Sequence, residues 1–431
     1  MEPRIKELIT ALNDRSRMVR LDTLRQLTDA VKNGKLDAPL RHDGVNNHIH
    51  TTYSFSTYSP SRAIWEAYRA GLRSAGIMDH DSICGAHEFI EAGAVAGIAT
   101  TIGVECRADF SATRLNGRRI NNPDQLSNAY LSLHGIPHSR IAAVRDYFEP
   151  LIRARHERNR LMIGRLNTLF RPYSIELSYE RDVLPRSYHR DGGTVTERHL
   201  LYALAHRLVQ TFGRGKPLVD FLNKNFRISA SPEASGQLLD NDNPFYEYDL
   251  LGLLKGGFTG AFYVDATGEC PKISELVSFA RSCGCICAYA YLGDVHTSVT
   301  GDKKPRKFED GYLDELMVLI KELGFEAVTY MPSRNSPMQL ERIMDLCGKN
   351  GLLQISGEDI NSPRQPFVNN ATGNGRFRHL VDTTWALIGH EKAATADSRS
   401  GLFSAETVLR YPDLDQRIQF FKALGLDGHA P

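Results

Sequence analysis

The sequence predicts an α/β fold built on a parallel sheet or barrel. Three observations carry that expectation. Short apolar segments of strand character alternate with segments of helical period, first after Val45 and again from about Ala261. Six of the apolar segments, NNHIH, SAGIMDHD, TTIGVEC, AYLSLHG, ICAYAYLGD and LLQISGEDIN, end in side chains that can ligate a metal. The length, 431 residues, suits one barrel enlarged by insertions. In such folds the carboxyl ends of the strands converge on one face, where ligands and substrates meet.

Each element follows from its pattern. Residues 1–40 read as a helical N-terminal extension, with Leu21, Leu24, Leu27 and Val31 at three- and four-residue spacing and Asn33-Gly34 as the stop. Residues 41–109 form the first part of the barrel. NNHIH is followed by a helix over Pro60–Ala70, with Ser59 as N-cap and Pro60 in its first turn; GIMDHD, a helix over Glu88–Ala96 and ATTIGVEC come next. Residues 110–255 read as a helical insertion and loop: Arg140–Leu169 and Glu197–Phe212 are helical in period, and 213–250 reads as a long loop rich in Gly, Ser, Asn and Asp. Residues 256–366 resume the barrel, with strands at GAFYV, ICAYAYLG, AVTYMPS and LLQISGEDIN separated by helices over Pro271–Cys283, Gly311–Leu323 and Pro337–Asn350. Residues 367–431 read as a C-terminal helical tail.

Composition narrows the function classes. Lys+Arg number 52 and Asp+Glu 51, a balance that gives no long-range pull toward nucleic acid or anionic lipid. No run of 18 apolar residues suggests a membrane span, and the charged N-terminal segment lacks a signal-peptide core. The seven cysteines are sparse and odd in number, which fits a reducing cytoplasm. Cys283, Cys285 and Cys287 alternate inside an apolar run and read as strand residues, since a zinc knuckle spaces its cysteines as C-x-x-C.

The chemistry gathers at the strand ends. Residues two apart on a strand face one side, so His48 and His50 present two imidazoles to one point. Asp79-His80-Asp81 follows an apolar run, Glu105 ends another, His134 ends a third, and Asp359 sits two residues before Asn361 after the last. Each has an ordinary alternative: a surface histidine, an N-cap aspartate, a salt-bridge glutamate, a core histidine, an Asx-turn. Together, imidazole and carboxylate suit Zn²⁺, Mn²⁺ or Fe²⁺. Lys303, Lys304 and Arg306 in TGDKKPR, Arg334 in YMPSRN and Arg364 in NSPRQPF bring cations from three loops on the same face, which suggests an anionic substrate.

The order H-x-H, T-x-Y-S, D-H-D, G-V-E, strand-end His and S-G-x-D, running from Asn46 to Asn361, resembles that of the polymerase and histidinol phosphatase (PHP) family. The resemblance implies a distorted (β/α)7 TIM-like barrel and two or three divalent metals that hydrolyse phosphoesters, here on a small phosphorylated molecule or nucleotide. It implies a complete first metal site from His48, His50, Glu105 and Asp359, with Glu105 bridging, and ligands to further sites from His80, His134 and Asn361. It implies that Arg198 and His199 face the substrate or metal, and Asp81 and His199 are taken as the candidate catalytic residues, with Arg198 on the substrate. Three positions depart from the pattern. Phe55 stands where the family has a ligating Asp, Tyr289 where it has a His, and Asn361 where it has a His. One or two ions are therefore expected rather than three, with Asp294 and neighbouring His296 as potential compensating ligands. The same departures suggest a degenerate domain that binds a ligand or partner without turnover. A metal-dependent C–N hydrolase on a similar barrel is a third reading, since H-x-H on the first strand is shared with amidohydrolases.

Overall fold

The computed structural model describes residues 3–228, 230–295, 307–368, 370–373 and 375–428. The extension forms α1 (Pro3–Ala11) and α2 (Arg17–Lys32). Then come β1 (His48–Ile49), α3 (Pro60–Arg69), β2 (Ser74–His80), α4 (Ala86–Ala96), β3 (Ala99–Asp109) and β4 (Asn128–His134). The backbone N–H of Arg62 donates to the Ser59 hydroxyl at 3.0 Å, so α3 begins at the expected cap. The extension is tied down by a buried ion pair between Arg20 and Glu88 of α4; Ser61 at the start of α3 also donates to that carboxylate, at 2.7 Å.

The insertion consists of α5 (Ile141–Phe170), α6 (Glu197–Phe212), α7 (Lys216–Phe226), α8 (Pro232–Leu239) and α9 (Tyr246–Phe262). Two expectations are corrected here. The stretch 213–250 is mostly helix rather than loop, and GAFYV closes α9 instead of forming a strand. The reason is periodic: Leu250, Leu254, Phe258 and Phe262 recur every four residues and are all buried in the insertion's own core, so the apolar run continues a helical stripe. After it come α10 (Ile273–Cys283), β5 (Ile286–Ala290), α11 (Leu313–Leu323), β6 (Ala327–Tyr330), α12 (Pro337–Asn350), β7 (Leu353–Ser356), β8 (Asp359–Ile360), α13 (Arg378–Ala396), α14 (Ala405–Arg410) and α15 (Leu414–Leu426).

The sheet has eight strands in the order β7-β6-β5-β4-β3-β2-β1-β8. Its two edge strands, β7 and β8, are separated in sequence only by Gly357 and Glu358, so the sheet must curl round on itself. The result is a curled half-barrel with helices outside, consistent with the TIM-like barrel that the sequence suggested. The pairings are parallel except at β4, which runs antiparallel to both β3 and β5. No α-helix lies between β3 and β4, and a parallel return needs a crossover, so the chain can only turn back. β4 therefore sits at the centre of the sheet, inside the stretch assigned by sequence to the insertion.

Strand alternation gives the sheet two faces of different character. Ile49, Ile77, Ile102 and Val104 turn outward into the main core under the helices. On the inner face, Ile286, Ala288, Ala327, Leu353 and Ile355 pack against Leu387 of α13. Thr101 and the Ile102 amide donate to Glu391 of α13 at 2.5 and 2.8 Å, and Asn47 donates to Thr384 at 2.8 Å. The expected C-terminal tail is thus the plug of the barrel's lower end. It is held from behind by α15 at a glycine crossing: a Cβ on Gly425 would fall within contact radius of the Trp385 carbonyl, and one on Gly389 would meet that of Phe421.

Two predictions follow from the plug. Gly425→Ala is expected to lower stability by about 1–3 kcal/mol, read from chemical denaturation, because backbone rather than a flexible side chain must yield. His390 of α13 takes the Leu402 N–H on Nδ1 at 2.9 Å and lies 3.0 Å from the Gly284 carbonyl through Nε2, which fixes a neutral ring with its proton on Nε2. Burial pushes its pKa down to about 4, against the pull of the Gly284 and Gly135 backbone. Because the folded pKa lies below the unfolded value near 6.5, the unfolded chain binds a proton that the folded chain refuses. Stability should fall as pH drops from about 6.5 toward 4, by about 3 kcal/mol from this group. In denaturation series across that range, His390→Gln should show a shallower slope than wild type.

Candidate metal centre

Register brings the strand-end groups together. His80 pairs with Glu105 across β2 and β3, and His48 pairs with Asp359 across β1 and β8. Paired residues share a face, and His50 follows His48 by two, so all five turn to the inner face at the carboxyl ends, opposite the α13 plug. Glu105 Oε2 lies 3.4 Å from His48 Nε2, 3.5 Å from His50 Nε2 and 3.1 Å from His80 Nδ1. His50 Nε2 is 3.2 Å from Asp359 Oδ1. Side-chain exposure rises from 1% at His50 through 13% at Glu105 and 23% at His80 to 39% at Asp359, so the cluster opens to solvent past Asp359.

The charges of this cluster are set by burial and by each other. Burial works against the Glu105 carboxylate, yet His80, His48 and His50 outweigh it and hold the pKa near 2. Burial also opposes ionisation of Asp359, but His50, His48 and Arg198 keep it well below the usual carboxylate range. His50 is drawn upward despite its burial, by Asp359 and Glu105. His80 is pushed down to about 3, by burial first, although Glu105 pulls the other way.

This arrangement fits a divalent cation. Both ring nitrogens of His48 and the Nε2 of His50 are buried and make no hydrogen bond. Imidazole nitrogens without partners, facing two ionised carboxylates, are a costly way to fill a protein interior and a natural way to hold a metal. Two ligand triads form among the described residues, His48–His50–Asp359 and His50–His80–Glu105, each with ligand atoms within 4.8 Å of one another. His134 falls outside both. It faces inward with a buried, unpartnered Nε2, but stands one residue pair deeper than Glu105, which is level with Ser132. Burial, then the His48 charge, pushes it down to about 3.

A supporting layer that sequence reasoning missed orients these groups. Asp79 accepts from the Thr51 N–H, the Thr51 hydroxyl and the Ser54 hydroxyl, each at 2.6 Å. Ser54 Oγ in turn lies 3.2 Å from His50 Nδ1, which leaves Nε2 aimed at the carboxylates. The signal was present in D-H-D: Asp79 and Asp81 flank a ligand, and alternation turns Asp79 away from it.

Several predicted residues take other places. Asn361, expected as a ligand, donates Nδ2 to both oxygens of Asp359 at 2.8 and 2.9 Å and so orients that carboxylate. Arg364, expected on substrate, is paired with Asp249 of α9 at 2.6 and 2.7 Å. Asp294 accepts from the Phe308 N–H at 2.6 Å and shapes its own loop. Tyr289 is level with Leu131 on β4, both on the outer face, so it is turned away from the centre. Lys303, Lys304, Arg306 and His296 lie outside the described residues. Arg334 is half-buried beyond β6. Asp81 is buried with φ of 52°, and its Oδ2 is 2.8 Å from Arg155 of α5, an arginine the sequence gave no reason to single out. His199 closes a capping box at the start of α6, accepting the Thr196 N–H on Nδ1 at 3.0 Å.

With the geometry in place, the chain can be set beside known proteins. Residues 46–188 match the model of the PHP domain, a span that includes His48, His50, His80, Glu105 and His134. Over that span the match agrees with the resemblance that the motifs suggested. Among solved structures it is similar to a protein of Bifidobacterium adolescentis provisionally named a metal-dependent phosphoesterase, with TM-score 0.50 and 19% identity over 77% of this chain and 91% of the other. It is also similar to an amidohydrolase from Chromobacterium violaceum solved with bound sulfate and no metal, with TM-score 0.50 and 16% identity over 76% and 90%. At these identities the likeness establishes the fold. No curated protein sequence matches the chain.

The supporting layer yields a direct test. Ser54→Ala, which frees His50 Nδ1 without touching a ligand, is expected to weaken Mn²⁺ or Zn²⁺ binding by about 10- to 100-fold in calorimetric titration.

Proposed function

We propose that the protein is a metal-dependent phosphoesterase acting on a small phosphorylated molecule or nucleotide. The observation that carries this reading is the set of unpartnered imidazoles facing the ionised Glu105 and Asp359. His48, His50, Glu105 and Asp359 would hold one divalent ion, Mn²⁺, Zn²⁺ or Fe²⁺, and His80 with the shared Glu105 part of a second. When bound, such an ion supplies Lewis-acid charge to a phosphoryl oxygen and makes water a nucleophile near neutral pH.

The protein's own groups do the rest. Arg198, whose charge reaches Asp359, and Arg334, in the loop after β6, would orient and neutralise the phosphate. Thr196 occupies Nδ1 of His199, so that ring carries its proton on Nε2; burial, with Arg198 and Arg155 beside it, pushes its pKa to about 3. His199 therefore donates a hydrogen bond to a substrate oxygen rather than taking a proton. Asp81 is the better proton carrier: burial raises its carboxyl against the pull of Arg155 and Arg107. A guanidinium whose charge reaches the centre, that of Arg198, favours an anionic ester over a neutral amide.

A second reading, binding without turnover, draws on Asn361, whose amide is directed at Asp359, and on the outward-turned Tyr289. Location in the cytoplasm is proposed on the cysteine usage; among the described residues no helix is long and apolar enough to cross a membrane.

The test is hydrolysis of p-nitrophenyl phosphate and nucleoside monophosphates with added Mn²⁺, Zn²⁺ or Fe²⁺, beside elemental analysis. Turnover should require metal and fall about 10³-fold or more in kcat/KM in Glu105→Gln, the loss of several kcal/mol of charge stabilisation. Stoichiometric metal with no turnover of any phosphoester would leave the binding reading in its place.

A further inference from the structure

Phe55 lies in the loop between β1 and α3, five residues beyond His50, and a phenyl ring offers no ligand atom. The ring is only 6% exposed, yet it packs outside the barrel's main core. It belongs to the core of the insertion, whose other members all come from residues 162–262. There it meets His199 edge-on at 4.9 Å between centroids, with Tyr202 and Tyr248 at 5.8 and 5.9 Å. Over the ring stands the Arg198 guanidinium, its carbon 5.2 Å from the centroid.

The same loop reaches the metal centre. Ser54, the preceding residue, touches both His50 and Asp79. Arg198 is the second residue of α6, and its charge is felt at Asp359, on the open side of the cluster. One ring thus joins the loop that orients His50 to the helix that carries Arg198. A long side chain with several rotatable bonds gains a fixed direction from an aromatic face beneath it.

We propose that Phe55 is a positioning residue: its ring seats Arg198 so that the guanidinium is held beside the metal-ligand cluster to receive the substrate's anionic group. Phe55 itself touches no substrate. The choice of anion rests on the phosphoesterase reading; the choice of residue rests on the ring geometry.

Phe55→Leu keeps an apolar side chain in the insertion core and removes the aromatic face; Phe55→Tyr keeps the face. The experiment uses the full chain loaded with Mn²⁺ and measures inorganic phosphate affinity by calorimetry, KM and kcat on a phosphomonoester, Mn²⁺ affinity, and Tm. Phe55→Leu is expected to weaken phosphate binding about 3- to 30-fold, with the loss carried by KM and Mn²⁺ affinity retained, and Phe55→Tyr to restore it. Arg198→Met should lose a similar factor, and the double variant Phe55→Leu/Arg198→Met no more than Arg198→Met alone. If Phe55→Leu fails to fold, Arg198→Lys, which keeps charge and loses the planar face, reads the same contact from its other side. Phosphate affinity unchanged in Phe55→Leu, or losses that add in the double variant, overturns the proposal and leaves the phosphoesterase reading intact. Wild type that binds Mn²⁺ but no phosphate overturns both.

Discussion

A carboxylate placed among imidazoles is stable inside a protein only if the charges are settled, and Glu105 is in that position. Its Oε2 has three ring nitrogens within 3.5 Å, while burial resists every ionised form in the cluster. No arrangement of protons satisfies all of them: the Nε2 of His50 and both nitrogens of His48 remain without hydrogen bonds. A divalent cation would ease the conflict by taking one imidazole lone pair from each of His48 and His50 and offsetting the two carboxylate charges. The register of β1, β2, β3 and β8 is therefore under a double demand. A shift of one residue would turn the isoleucines of the outer core inward and the ligands outward at the same time.

That demand explains why the barrel is divided along its length. On β3, Thr101 meets α13 and Glu105 meets the metal-ligand cluster, four residues further along the same face. Below, the inner face is closed by a helix whose polar groups, Glu391 and Thr384, satisfy Thr101, the Ile102 amide and Asn47. Above, it is left polar and open. The close α13–α15 crossing holds the plug in place, so stability and site are built at opposite ends of one sheet.

Much of this was legible in the sequence, and the failures have physical causes. His48 and His50 could be placed on one face because a two-residue period is a local property, while Glu105 and Asp359 were joined to them by the resemblance of the motif order. The direction of β4 could not be read from its own residues, since an antiparallel strand has the same alternation as a parallel one; only the missing crossover helix decides it. The helix ending at Phe262 was misread because GAFYV, of which only Gly260–Phe262 are helical, is as apolar as a strand when taken without the stripe that begins at Leu250. Arg364 and Asn361 sat at the right distance from the Asp359 motif, but their partners, Asp249 and Asp359 itself, follow from tertiary contact and side-chain rotamer. Arg155 was invisible: an arginine on a long amphipathic helix reads as a solvated charge until packing buries it.

Arg155 also shows how the insertion belongs to the site. It pairs with Asp81 on one side and with Glu269 on the other, at 2.8 and 2.9 Å. Glu269 is shared with Arg158 of α5 and Arg107 of β3, and both of these arginines also pair with Glu197 of α6. Arg107, Arg155 and Arg158 are thus balanced by Asp81, Glu197 and Glu269, and of these six only Glu197 has appreciable exposure. Removing any one member would leave an uncompensated charge in low dielectric, which costs far more than a surface pair is worth. The network therefore fixes α5 and α6 to the barrel. It does so within one residue of His80, a member of the candidate metal cluster, and of Arg198. The insertion is a second wall beside the same cluster: Arg155, Arg198 and His199 come from that wall, while Asp81, His48, His50, His80, Glu105 and Asp359 come from the strands and strand ends of the sheet.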